Sequence, residues 1–303
     1  MKHEEPLSPE SERVIRKYAD LLLRKASAYD RFPTPVDDLL DAAKLEVARE
    51  SVLAKIGLDG IYRRLPNFVK LAPDAVKSAR DKLLGLLDRR DRSIHLDPDM
   101  HPKRRIHVTI HEVGHELLPH QRKMFQVLEE SDAEMDPDTK DLFEREASCF
   151  ASEVLFQRDA FAKEAADSAI GIKVPIALSR KYGPSVYSAA RRYVETHRLP
   201  CALVVFEMPV CMDGEPPFMD LRRVVTSSEF KKRFGMVTWP RRCNESHFFF
   251  RNCPSRWCSR PSPLRIKDCN GEPQACLAEA FNTKHNVLFL VYPAILGSAF
   301  DSI

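Results

Sequence analysis

The first ten residues, Met1 to Glu10, have no apolar core of the kind that marks a secretory signal, and no later apolar run is long enough to span a bilayer. The expected setting is therefore the cytosol, with no membrane partner. A strong charge of one sign is missing too. Forty-seven Lys and Arg stand against 44 Asp and Glu, a net +3, so no whole-chain basic field argues for nucleic acid. Local clusters at Lys103 to Arg105, Arg191-Arg192 and Lys231 to Arg233 read as solvated surface. Paired C-x-x-C knuckles are also lacking: five of the eight cysteines fall between Cys243 and Cys276, with Cys253 and Cys258 separated by four residues. In a reducing compartment these read as buried or incidental thiols rather than disulfides or a structural zinc site. With 44% apolar residues, the 303-residue chain can build one substantial domain and one or two smaller ones.

Against that plain background stands Ile106-His-Val-Thr-Ile-His111-Glu112-Val-Gly-His115-Glu-Leu-Leu118. Ile106, Ile110, Val113 and Leu117 recur at helical spacing, Pro102 suits a first turn and Pro119 stops the run. On a helix, residues four apart share a face, so the imidazoles of His111 and His115 converge on one point. Glu112 lies one residue round from His111, where a carboxylate can serve as a base without being a ligand. This is the H-E-x-x-H zincin pattern, and Zn2+ is the expected metal. His107, four residues before His111, could form a second pair, but only the 111/115 pair encloses a glutamate.

A catalytic zinc takes three protein ligands and leaves a fourth position to water. Asp141 to Leu155 reads as the next amphipathic helix, with Phe143, Ala147, Phe150, Ala151 and Val154 on its buried face. Glu144 and Glu146 flank that face. Glu144 lies on the side of Ala147, Ser148 and Ala151, small residues that permit a close approach, so it is preferred to Glu146 as third ligand, with Glu153 behind both.

Taken together, Arg104-Arg-Ile-His-Val-Thr-Ile-His-Glu-Val-Gly-His115 and Phe143-Glu-Arg-Glu-Ala-Ser-Cys-Phe-Ala151 resemble the ImmA/IrrE family of metallopeptidases. The resemblance covers about residues 90 to 160. It implies a strand leading into the H-E-x-x-H helix and a second helix, roughly E-x-E-A-x-x-F-A, whose first glutamate is the third ligand, here Glu144. The chain departs from the family's L-M-P ending with Leu155-Phe-Gln157, past the ligands. The resemblance thus implies a zinc endopeptidase, with Glu112 as catalytic base and His111, His115 and Glu144 as metal ligands. Its implied substrate is a protein, a helix-turn-helix transcriptional repressor, in a stress or mobile-element response. The competing expectation is a regulator that binds DNA or a partner, its metal centre structural or vestigial; a structural zinc has no use for a base such as Glu112.

The remainder sets an α+β frame. Ser11 to Tyr29 reads as a helix burying Val14, Ile15, Tyr18, Leu21, Leu22 and Ala26. Val36 to Leu53 resumes helical spacing, Gly57 to Asn67 offers turns and a short strand, and Asp74 to Leu87 suggests a third helix. Arg92 to Asp97 alternates like a strand and is a candidate edge for an extended substrate. Gln121 to Lys140 reads as a charged, solvated insertion. Ala177 to Val194 has a helix-turn-helix outline, with Ser179, Gly183 and Ala189 where two helices must cross; a structural pair is preferred to DNA binding. From Leu203 to Ile303 come strands and short helices, including Ser246 to Arg251 and Asn286 to Tyr292. The expected organisation is a mostly helical zincin-like domain with a small sheet over residues 1–165, a helix-turn-helix-like segment over 166–199 and a small α+β domain over 200–303.

Overall fold

Ser8 accepts a hydrogen bond from the Ser11 amide (3.1 Å) and Pro9 takes the first helical position, so helix α1 (Pro9–Lys25) begins where its cap residues dictate. The computed structural model describes residues 7–49, 85–131, 135–212, 216–255 and 257–294. The chain divides into two units, one of residues 2–160 and 181–184, the other of residues 161–180 and 185–303. The architecture is α+β, and no helix among the described residues is long and apolar enough to cross a membrane.

In the first unit, α1 buries Ile15, Ala19, Leu22 and Leu23, whereas Leu21, expected in the core, is 50% exposed. Helix α2 (Val36–Ala43) ends well before Leu53. Lys44 turns left-handed (φ 59°) and the chain enters β1 (Glu46–Val47), which pairs in parallel with β3 (Ser93–Leu96). Strand β2 (Gly85–Asp88) pairs antiparallel with β3, so the last residues of the expected 74–87 helix are extended. The rest of that helix, the end of the 36–53 helix and the 57–67 turns lie outside the described residues. The sheet order is β1-β3-β2. Strand β3 is thus the middle strand, with all four residues buried, paired with β2 from Ser93 to Leu96 and with β1 at Ser93 and Ile94. It is not the substrate edge that its alternation suggested.

Three helices come next: α3 (Pro102–Leu117), α4 (Pro119–Ser131) and α5 (Pro137–Leu155). The segment expected as a solvated insertion is largely helical, because Pro119 starts a new helix after an extended Leu118 and Gln121 and Leu128 turn inward. The core joins α1, α2, β3, α3 and α5 through residues such as Ile15, Leu39, Ile94, Ile110, Val113 and Phe150. Arg92 knits the periphery to it. Its guanidinium donates to the Ala43 and Lys44 carbonyls at the end of α2 (2.9 and 2.6 Å) and to Glu116 on α3 (3.0 Å).

The second unit holds most of α6 (Asp159–Ala166) and α7 (Lys173–Tyr182), and in it α8 (Val186–Thr196) buries Ala189, Ala190, Tyr193 and Val194 and packs on two strands of a six-stranded sheet. Those strands are β4 (Ala202–Glu207) and β5 (Phe218–Thr226). Arg192 is only 7% exposed, and Arg191 is paired with Glu195 on the same helix (2.7 Å). Then come α9 (Ser228–Phe234), β6 (Arg242–Asn244), α10 (Phe248–Arg251), β7 (Ser262–Lys267), β8 (Pro273–Asn282) and β9 (Asn286–Pro293). The sheet runs β6-β5-β4-β9-β8-β7, every neighbour antiparallel. Central strands β4 and β9 are buried on both faces, which is why they read as near-continuous apolar runs. One face carries Val204, Phe206 and Phe289 against Phe230 and Phe249. All eight cysteines are free thiols; Cys201, Cys243 and Cys276 are buried.

Candidate metal centre

Two helices make the site, and a glycine sets their separation. On α3, the N-cap His101 accepts from the Lys103 amide through Nδ1 (3.2 Å), and the helix buries Ile110 and Val113. On α5, the Asp136 side chain caps by accepting from the amides of Asp138 (3.1 Å) and Thr139 (2.9 Å). The helices meet at Gly114. A Cβ there would lie 3.1 Å from Phe150 Cδ1 and 3.3 Å from Ala147 Cα, so any side chain at 114 would push α5 away.

That approach brings the sequence-predicted ligands together. His111 Nε2 and His115 Nε2 stand 3.1 Å apart. Glu144 reaches both, with Oε2 3.2 Å from His111 Nε2 and Oε1 3.7 Å from His115 Nε2. Among the described residues these three form the one group of His, Cys, Asp or Glu side chains able to hold a metal ion, their donor atoms lying within 4.8 Å of one another. Ligands about 2.0–2.1 Å from a tetrahedral ion would stand roughly 3.4 Å apart. The observed separations bracket that distance, and two imidazoles with one carboxylate is a zinc-type donor set, so the residues fit a metal. His115 is buried, while the Glu144 side chain is 55% exposed, so the centre has a solvent side.

Electrostatics accord with this donor role. Burial and the charge of His111 pull His115 down to about 4, leaving a neutral ring with a lone pair to give. Burial also acts to lower His111, but the hydrogen bond to Glu144 and the charge of Glu112 outweigh it and the net shift is upward. For Glu144, desolvation is overridden by the hydrogen bond from His111 and the nearby histidine charges, which hold it at about 2. Glu112 is buried, and burial lifts its carboxyl to about 7 against the opposing charge of His111.

The other candidates fall elsewhere. Glu146 points away from the imidazole pair and accepts from Gln121 Nε2 (2.8 Å) and His120 Nε2 (2.5 Å). Glu153 lies beside α1, its Oε2 3.9 Å from Arg16 Nε. The His107 ring stands 6.4 Å from that of His111 and is outside the converging group. A residue that carried no motif emerges instead: Gln121, whose Oε1 is 2.7 Å from His115 Nδ1. The signal available for it was Pro119 at a helix start with Phe125 and Leu128 after it at helical spacing. Phe125 itself makes an edge contact with the His115 ring (5.7 Å between centroids) and lies under the Arg89 guanidinium (4.3 Å).

An H-E-x-x-H helix crossed by a second helix that brings a carboxylate to the same point is the arrangement of a metallopeptidase centre. Residues 74–193 match the family model described as the IrrE N-terminal-like domain, in line with the family resemblance that the two helical motifs carry. Comparison with curated protein sequences gives no match. Among solved structures, a Mycobacterium tuberculosis transcriptional regulator is similar at 10% identity and a TM-score of 0.47, over 94% of this chain and 80% of the other.

Proposed function

We propose that this chain is a zinc endopeptidase that hydrolyses a peptide bond in a protein substrate, a helix-turn-helix transcriptional repressor, within a cytoplasmic stress or mobile-element response. The reading rests above all on the convergence of His111, His115 and Glu144 beside a glutamate that is not one of the three. In this reading His111, His115 and Glu144 hold the ion. When bound, zinc supplies a Lewis acid that polarises a carbonyl and lowers the pKa of water. Glu112 takes the proton from the attacking water and later delivers it to the leaving amine. The exposed side of Glu144 leaves room for substrate to approach.

The test is Glu112→Gln. It should keep zinc, measured by metal analysis of the purified protein, and lose about 10²–10⁴-fold in cleavage. The assay incubates the protein with candidate helix-turn-helix repressors, with and without chelator. Undiminished cleavage by the variant, or cleavage indifferent to chelator, would end the assignment.

A further inference from the structure

We propose that Gln121 is a positioning residue for the metal centre: its buried side chain holds a proton on Nδ1 of His115 and so aims the Nε2 lone pair at the site. This rests on the reading of His115 as a ligand. A glutamine amide offers one oxygen acceptor and two N–H donors. Gln121 Nε2 stands 3.2 Å from the Phe143 carbonyl and 2.8 Å from Glu146 Oε2, both acceptors, so both N–H groups are used. The oxygen therefore faces His115 Nδ1 at 2.7 Å, and only a protonated Nδ1 can complete that contact. The opposite amide orientation would set an oxygen against two acceptors, which excludes it. Gln121 has no exposed surface, so water does not compete for these bonds.

Beyond Gln121 the chain of contacts continues to Glu146, which also accepts from His120 Nε2 (2.5 Å). The two glutamates of the E-x-E spacing thus have different tasks. Residues two apart on a helix project roughly 200° from one another. Glu144 faces the imidazoles, while Glu146 anchors the amide that orients one of them. A ligating histidine whose second nitrogen is fixed in this way is locked in tautomer and ring angle.

The test uses the full-length protein and needs no substrate. In metal-free wild type, nitrogen-15 spectra of the imidazoles should show the His115 proton on Nδ1. Gln121→Leu should release that preference and weaken zinc binding, read by competition with a chelator, about 10–100-fold. Gln121→Met, similar in length but with no oxygen acceptor for Nδ1, should do the same. A wild-type ring protonated on Nε2 overturns the proposal whatever the variants do. So does a Leu or Met variant, folded by circular dichroism, with tautomer and zinc affinity unchanged. Because no readout involves cleavage, a protein that passes these tests but hydrolyses nothing would count against the proposed reaction alone.

Discussion

The crossing of α3 and α5 and the centre of the six-stranded sheet are both well buried, yet they are filled by opposite chemistries. At the crossing and along the histidine-bearing helix are Glu112, His115, Gln121 and Glu146, all buried; around β4 and β9 the interior is Val204, Phe206, Phe230, Phe249 and Phe289. Apolar burial stabilises at roughly 25 cal/mol per Å², whereas ionisable groups taken from water cost free energy unless each is paired. The sheet therefore holds its unit together through packing. The helix crossing instead keeps a set of polar groups in register at some cost in stability, as the reaction proposed above would require.

That contrast can be broken from either side. The largest expected change is in the sheet. Phe289 is fully buried, in contact distance of the Phe206 and Phe249 rings (5.9 and 4.9 Å between centroids), and Phe289→Ala should cost about 3–5 kcal/mol in chemical denaturation while zinc affinity stays the same. A coupled fall in zinc affinity would show that the two interiors are not separable. Next, adding zinc to metal-free protein should raise stability by about 2.7 kcal/mol when the free ion is a hundredfold above its dissociation constant, a gain that chelation reverses. An unfolding transition indifferent to zinc would contradict the donor set. Gly114→Val ranks third, at about 1–3 kcal/mol, with weaker zinc binding, since the new side chain must displace Phe150 and the backbone at Ala147.

The smallest effect concerns pH. The Tyr29 hydroxyl (2.6 Å) and the Arg24 and Arg158 guanidiniums (2.8 and 2.7 Å) hold Asp20 at about 2, below its ordinary 3.8, and outweigh burial, which acts the other way. A depressed carboxyl contributes stability above its unfolded pKa and loses it as pH falls through the folded value. Asp20→Asn should therefore lower stability by about 1 kcal/mol near neutrality and flatten the loss between pH 4 and 2, as monitored by thermal melts across that range. An unchanged acid limb would mean that these contacts do not persist in solution.

How far the sequence reaches depends on the range of the interactions involved. His111, Glu112 and His115 are legible because one helical turn relates them, and Glu144 because small neighbours on its own helix mark the side of closest approach. Gln121 is not. Its role exists only where α4 meets α3 and α5, and its residue type is ordinary in a charged stretch. Likewise, the apolar spacing overextends helix α2 because the stop is imposed from a distance: β1 pairs with β3, and the carbonyls at the helix end are taken by a residue 48 positions further on. Leu21 reads as core since two wheel positions are equally apolar and only the packing of α1 chooses between them.

That distant residue is Arg92, and its three bonds leave in three directions, to Ala43, Lys44 and Glu116. A flat cation with a fixed fork of donors can serve such a junction; an ammonium on a flexible stem would satisfy one partner and strand the others. The end of a short helix, a sheet strand and the histidine-bearing helix are consequently tied through one planar group, so lysine, its nearest substitute by charge, would loosen all three at once.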